Sequence, residues 1–257
     1  MKLTFLGTGT SQGIPVIGCK CPVCNSSDSK NKRLRSSVLI EYKDKNILID
    51  TGPDLRQQSL KNNICRIDLI LYTHAHRDHV SGIDEIRSFN FIQKSEIKGF
   101  GNSELVNQIK KDYSYIFQKH NYPGLPRINL EVAEKKFNYL GIEINPIEVY
   151  HYKLRILGYR IGELSYVTDA KTISNEELKK INGSKILVIN CLQINEHLSH
   201  LNLNEALDII EKVEVEKVFF THISHNLGLH KEINKRLPKN VQLAYDNLVL
   251  ELWVNYI

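Results

Sequence analysis

Nowhere does this chain approach the ~20 consecutive apolar residues of a membrane-spanning helix. Its opening residues, Met1-Lys2-Leu3-Thr4-Phe5-Leu6-Gly7, read as a strand entering a glycine turn. They lack the apolar core of roughly 7–15 residues that marks a secretory signal. The expectation from both absences is a cytoplasmic protein with no membrane partner. Low-complexity tracts and short-period repeats are missing too. Charge of one sign is not in large excess: the net charge is +5, which fits an anionic substrate. A nucleic-acid binder would show a clustered basic face. The one dense basic group, Lys30-Asn31-Lys32-Arg33-Leu34-Arg35, reads as a solvated loop. Cysteines are few, five in all, and the number is odd. Three of them, Cys19, Cys21 and Cys24, fall within six positions. In a reducing compartment such crowding favours a metal over a disulfide.

At 257 residues, 42% of them hydrophobic, the chain is long enough for two small domains or one large α/β domain. Strands are expected at 3–6, 38–42, 47–50, 69–72 and 97–99. Helices are expected from Pro53, a favoured first-turn residue, to about residue 60, from about residue 83, and over 104–111. Tyr122-Pro123-Gly124-Leu125-Pro126 is a break. The second half begins again with strands at 128–132, 142–150, 154–161 and 164–168. A helix at 175–181, a strand at 186–190 and a helix at 205–213 follow. A strand at 217–221, a helix at 229–237 and a strand at 248–254 complete the pattern. Each half runs strands first and then strands mixed with helices, which predicts two face-to-face sheets with helices outside.

What is present in abundance is metal-binding chemistry. Thr73-His74-Ala75-His76-Arg77-Asp78-His79 holds four ligand-type side chains within six positions, of the kinds that zinc, manganese and iron accept. It follows the apolar run Ile67–Tyr72, and continued strand geometry would put His74, His76 and Asp78 on one side. A surface loop rich in histidine is the plainer alternative. His151, Asp169 and His222 each follow an apolar strand, where an α/β scaffold displays chemistry. Alone, each could be a turn or cap residue. Seven ligands exceed the need of one ion, and with a shared carboxylate they suit a dinuclear centre with ions roughly 3.5–4 Å apart.

The loop Cys19-Lys20-Cys21-Pro22-Val23-Cys24 can fold three thiolates round one structural zinc. His225, three residues after His222, is the candidate fourth ligand. A Cys21–Cys24 redox pair and three unliganded thiols remain open. Asn202 and Glu205 read as a capping box that opens a helix. His200 would then lie beside a helix N-terminus, a favourable place for a phosphate oxygen. A surface histidine near a cap is the alternative. His197 and His120 read as surface residues.

His74-x-His76-x-Asp78-His79, with His151, Asp169 and His222, resembles the metallo-β-lactamase-fold hydrolases, and Leu48-Ile49-Asp50-Thr51-Gly52 resembles their first motif. The resemblance covers essentially the whole chain, residues 1–257 as one hydrolase domain with a zinc loop at about 19–24. It implies an α/β fold, an αββα four-layer sandwich. It further implies His74, His76 and His151 on one ion, Asp78, His79 and His222 on the other, and Asp169 between them, with Asp50 supporting the ligands from behind. The cysteine loop, His225 and Gly7-Thr8-Gly9-Thr10-Ser11-x-Gly13 are similar to the PhnP-type cyclic phosphodiesterases, and more distantly the chain resembles tRNase Z. Carried over, this implies two active-site divalent ions, zinc or manganese, plus one structural zinc. It assigns Asp78 and His200 to catalysis. Phosphodiesterases of this fold often carry threonine where this chain has Asn202, which leaves that residue without an assigned part in the reaction.

The function this resemblance implies is hydrolysis of a small or cyclic phosphodiester, of phosphoribosyl cyclic phosphate or cyclic nucleotide type, by attack of a metal-bound hydroxide. Alternatives are tRNase Z-like RNA 3′-processing, thioester hydrolysis, and a non-catalytic zinc-stabilised binding module. A small phosphodiester is the expected partner and nucleic acid the less favoured one, while a homodimer is left open.

Overall fold

The computed structural model describes residues 1–118 and 122–252. His120 and the end of the last expected strand lie outside them. Long β-branched and leucine runs make the strands, since such side chains pack well on pleated surfaces. In the first half these are β1 (Lys2–Gly7), β2 (Ser37–Tyr42), β3 (Lys45–Ile49), β4 (Leu69–Leu71), β5 (Ile97–Gly101) and β6 (Ile128–Val132). The second half contributes β7 (Phe137–Tyr139), β8 (Ile142–His151), β9 (Leu154–Ile161), β10 (Leu164–Val167) and β11 (Thr172–Ile173). It continues with β12 (Ser184–Asn190), β13 (Val215–Thr221) and β14 (Val241–Leu243). The last strand, β15 (Val249–Glu251), returns to the first sheet and pairs antiparallel with β1.

The first sheet has the order β15-β1-β2-β3-β4-β5-β6, parallel from β3 onwards. The second runs β11-β8-β9-β10-β12-β13-β14, with β7 beside β8 and the strands parallel from β10 onwards. The helices are α1 (Leu55–Lys61), α2 (Arg77–Val80), α3 (Ile86–Gln93), α4 (Ser103–Asp112) and α5 (Ser114–Phe117). After the break come α6 (Asn175–Ile181), α7 (Leu203–Ile210) and α8 (His230–Asn234). None of these is long and apolar enough to cross a membrane.

Three apolar clusters define the layers. The central one joins Phe5, Ile40, Ile49 and Leu71 of the first sheet to Ile144, Tyr159, Tyr166 and Val188 of the second. The outer face of the first sheet, through Leu48 and Ile70, packs on Leu55, Phe89 and Leu105 of α1, α3 and α4. The outer face of the second, through Leu187 and Phe220, packs on Leu178, Ala206 and Ile233 of α6, α7 and α8. This is the expected αββα sandwich: central strands such as β3, β4, β10 and β12 are largely buried on both faces and apolar, while β6 and β8 alternate buried and exposed residues.

The helical pieces in the ligand run depart from the sequence expectation. β4 ends at Leu71, and α2 carries Asp78 and His79 on a helical turn capped by His76. Strand alternation therefore does not bring Asp78 to the side of His74; the chain reverses into a short helix to do so. Gly52 makes the close approach possible, because a Cβ there would lie 2.3 Å from the Asp78 carbonyl oxygen.

The two sheets are stitched together where β4 ends. Leu157 N–H donates to the Thr73 carbonyl at 3.0 Å, and the buried Tyr159 hydroxyl donates to the Tyr72 carbonyl at 2.6 Å. Tyr159→Phe should therefore lower unfolding free energy by about 1–2 kcal/mol, read from urea denaturation at unchanged slope. No change in midpoint would show that the hydroxyl contributes nothing.

Candidate metal centre

The ligand-type residues converge at the strand ends that the two sheets share. His74 and His79 come from the segment after β4, and His151 is the last residue of β8. Asp169 follows β10, and His222 follows β13. Asp50, Asp169 and His222 have left-handed backbones, with φ of 64°, 60° and 53°. These are uncommon for side-chain-bearing residues and characteristic of functional strand ends.

Hydrogen bonds behind the rings decide which nitrogen faces inward. The Thr73 hydroxyl donates its one proton to Asp50 Oδ2 at 2.8 Å, so it can only accept from His74 Nδ1, 3.0 Å away. His79 Nδ1 donates to Asp50 Oδ2 at 2.7 Å. His151 Nδ1 faces two carbonyls, those of Asp169 at 2.9 Å and Ser199 at 2.8 Å, and must donate. Each of these rings thus turns Nε2 towards the shared space. The Nε2 atoms of His74, His79 and His222 are buried without a hydrogen-bond partner. Buried polar atoms left unpaired are costly, and several facing one another mark a cation site.

Distances agree with that assignment. Asp78, His79, Asp169 and His222 bring their ligand atoms within 4.8 Å of one another. The nitrogen-to-oxygen separations are 3.2 Å for His79–Asp78, 3.4 Å for His79–Asp169, 3.6 Å for His222–Asp78 and 3.1 Å for His222–Asp169. A tetrahedron with metal–ligand bonds of about 2.0–2.1 Å has edges of roughly 3.3 Å. A second group stands beside it. The rings of His74, His76 and His151 lie 4.5–5.7 Å apart, centre to centre. Asp169 Oδ2 is 3.9 Å from His74 Nε2, so one carboxylate reaches both groups. His151, Asp169 and His200 also form a compact triplet, so His200 stands within the cluster.

Charge follows from this crowding. Burial would discharge His79, yet Asp169, Asp78 and Asp50 hold its imidazole well above the ordinary range. Burial also opposes the Asp78 carboxylate, but His79 and His222 keep it far below its ordinary range. His74 is driven down by burial and by His79. His200 is pushed down to about 3 by burial and by His222. A proton on His79 Nε2 occupies the position where a divalent ion would bind, and the two compete for that lone pair.

The cysteine loop forms a separate cluster. Cys19, Cys21 and Cys24 place their sulfurs 3.3, 3.4 and 3.6 Å from His225 Nδ1. A tetrahedral zinc with bonds of about 2.3 Å to sulfur and 2.0–2.1 Å to nitrogen has S···N edges of roughly 3.6 Å. The Cys24 N–H draws the Cys21 thiol down to about 6, while burial pushes Cys24 up to about 11. Three thiolates and an imidazole at these spacings fit a four-coordinate structural site rather than a dithiol.

Sequence reasoning missed three supports. Thr73 fixes His74 and Asp50, and Ser199 lends His151 its carbonyl. The Asn190 amide makes two hydrogen bonds to the Ala170 backbone beside Asp169. None carries a spacing signal. His197, expected on the surface, packs its ring 5.1 Å from that of His200. Asn202 is committed to α7, where the capping box with Glu205 is complete.

A family model of the β-lactamase superfamily domain matches residues 45–223. The crystal structure of a diphosphatase from the PhnP family is similar over 98% of both chains, with 36% identity and a TM-score of 0.92. The short form of human tRNase Z shares the fold at a TM-score of 0.74 and 17% identity, over 99% of this chain and all of that one. An octanoyltransferase of Porphyromonas gingivalis is 38% identical over 252 residues, which is 96% of this chain and 51% of that protein. The chain spans about half the length, or less, of the curated relatives it matches first.

Asp50→Asn keeps a side chain that tolerates the left-handed backbone but removes the carboxylate behind His79. It should weaken active-site metal binding by about 10–100-fold, measured by competition with a chromophoric chelator. Unchanged affinity would remove Asp50 from the ligand support.

Proposed function

We propose that the chain, which belongs to the β-lactamase superfamily and within it to the PhnP family, is a hydrolase, and more closely a dinuclear phosphodiesterase acting on a small or cyclic phosphodiester. His74, His76 and His151 would hold one divalent ion, Asp78, His79 and His222 the other, and Asp169 would bridge them. Such ions supply Lewis-acid stabilisation of developing charge and lower the pKa of a coordinated water. Asp50 and Thr73 orient His79 and His74, and the carbonyls of Asp169 and Ser199 orient His151.

The observation that carries the reading is His200. Its ring lies 4.5 Å from that of His151 and 4.8 Å from that of His222, and Nδ1 is buried without a partner. A buried imidazole with no structural bond, beside the ligands and just ahead of α7, is placed to contact a phosphate oxygen. With its pKa pushed down to about 3 the ring is neutral in the empty site and offers an N–H to that oxygen. It acts as a general acid on the leaving oxygen only when the negative charge of a bound phosphate raises that pKa. Zinc at Cys19, Cys21, Cys24 and His225 would tie the N-terminal loop to the segment after His222 and keep that ligand in register. On the same reading, the chain works as one hydrolase domain in a reducing cytoplasm, with no membrane partner and room for assembly as a homodimer.

The PhnP-family relative is described as a diphosphatase, so a disubstituted diphosphate belongs among the substrates to try. Thioester hydrolysis is the second reading, favoured by the acyl-transfer name of the P. gingivalis relative. That name describes a protein about twice as long.

Metal-reconstituted protein should hydrolyse bis-(p-nitrophenyl) phosphate or a 2′,3′-cyclic nucleotide faster than a glutathione thioester or precursor tRNA. Thioester turnover without diester turnover would replace the phosphodiesterase reading with the second one. His200→Ala should keep its metal content yet lose diesterase activity by about 10²–10⁴-fold, the usual contribution of general acid–base catalysis. Full activity in that variant would remove His200 from the chemistry. Elemental analysis should find about three ions per chain, two catalytic and one structural, and Cys21→Ser should lower the count by one. An unchanged count in that variant would show that the cysteine loop binds no metal.

A further inference from the structure

We propose that the groove beside His74 and His76 is a binding subsite for an uncharged, hydroxyl- or amide-bearing arm of nucleoside size on an unsymmetrical substrate. Its volume is about 460 Å³, within the range of small-molecule pockets, roughly 300–1,000 Å³. It runs from the two histidines between α4 and the β8–β9 hairpin, so a phosphorus held at the metal ligands would direct one substituent into it. His200 does not line it. The attachment of this arm to a phosphate rests on the function proposed above; the groove itself does not.

Leu105 from α4 and Leu154 from the hairpin supply apolar surface on opposing walls. The Asn102 amide donates to the Arg155 carbonyl at 3.0 Å, which fixes the width between those walls. The polar edge is ordered in advance. Asp112 accepts from Gln108 Nε2 at 2.8 Å through Oδ1 and pairs with Arg77 Nη2 at 3.2 Å through Oδ2. Arg77 Nη1 also donates to the Tyr113 hydroxyl at 3.1 Å. Gln108 Oε1 makes no hydrogen bond among the described residues, which leaves a fixed acceptor facing solvent. Apolar walls with a few placed polar groups are the usual make-up of a small-molecule site.

Charge argues for a neutral occupant. Arg77 is paired with Asp112, and Arg155 is held by Glu104, Glu134 and Glu148 at 2.6, 2.8 and 3.2 Å. Each cation already faces carboxylate, so a second anionic group would displace an existing ion pair. A sugar hydroxyl or a base amide needs only the spare acceptor and the leucine walls.

Two diesters that differ in one arm test this with the metal-loaded protein: thymidine 5′-(p-nitrophenyl phosphate) and methyl p-nitrophenyl phosphate. The wild type should favour the thymidine ester in kcat/KM. Gln108→Ala and Leu154→Ala should each cut that preference about three- to tenfold, the size of one lost neutral contact, through KM for the thymidine ester. No preference in the wild type, or an identical ratio in the variants, would overturn the subsite. Calorimetric titration with thymidine 5′-monophosphate separates this outcome from failure of the function. If neither ester is cleaved but the variants weaken nucleotide binding by the same factor, the subsite stands and the phosphodiesterase reading falls. If the nucleotide does not bind, or binds both variants as it does the wild type, the subsite falls.

Discussion

Buried imidazole nitrogens that face one another need a positive charge between them, and the rest of this structure is arranged to hold them there. Nε2 of His74, His79 and His222 cannot escape to solvent, and none has a protein donor. Thr73 and Asp50 orient His74 and His79 from behind, and two backbone carbonyls orient the neighbouring His151. Three carboxylates hold the His79 imidazole well above its ordinary range. A divalent ion satisfies the same lone pairs and carboxylates together. Local strain is part of the arrangement, since two of the ligands and their main support sit in left-handed backbone.

The sandwich makes this crowding affordable. Its apolar layers fill the space between and outside the sheets, so the buried polar side chains of the site gather where strands stop. β4, β8, β10 and β13 stop at one edge of the molecule, and the links from Tyr159 to Tyr72 and from Leu157 to Thr73 hold the two sheets in register there. Side chains from distant parts of the chain thereby reach one small volume without any of them spanning the core.

Much of this was legible in the sequence, for identifiable reasons. β6, β9 and α6 match their expected limits, because β6 alternates apolar and polar residues, β9 is rich in leucine and isoleucine, and Ser174 caps the helix. α2 and α5 were invisible, since a four-residue helix shows no 3.6-residue period, and β7, β11 and β14 are too short to alternate. The ligand-type residues were readable because histidine and aspartate at strand ends are chemically conspicuous. Their geometry was not: Asp78 reaches the cluster by a helical turn, which strand reasoning could not supply. Thr73, Ser199 and Asn190 escaped because a hydroxyl, a carbonyl or an amide becomes support only through tertiary contact. His197 reads as surface until the segment before α7 folds it onto His200.

The contact between residues 19–24 and His225 has a consequence in time as well as in space. Sulfurs near one end of the chain meet a ring nitrogen about two hundred positions later, three residues beyond His222. During synthesis β1 to β6 of the first sheet emerge before that histidine exists, while β15, which completes the sheet, follows it. The three thiols therefore meet no ring nitrogen of His225 until about two hundred further residues have been made, and the contact that pins residues 19–24 beside His222 is a late event in the making of the protein.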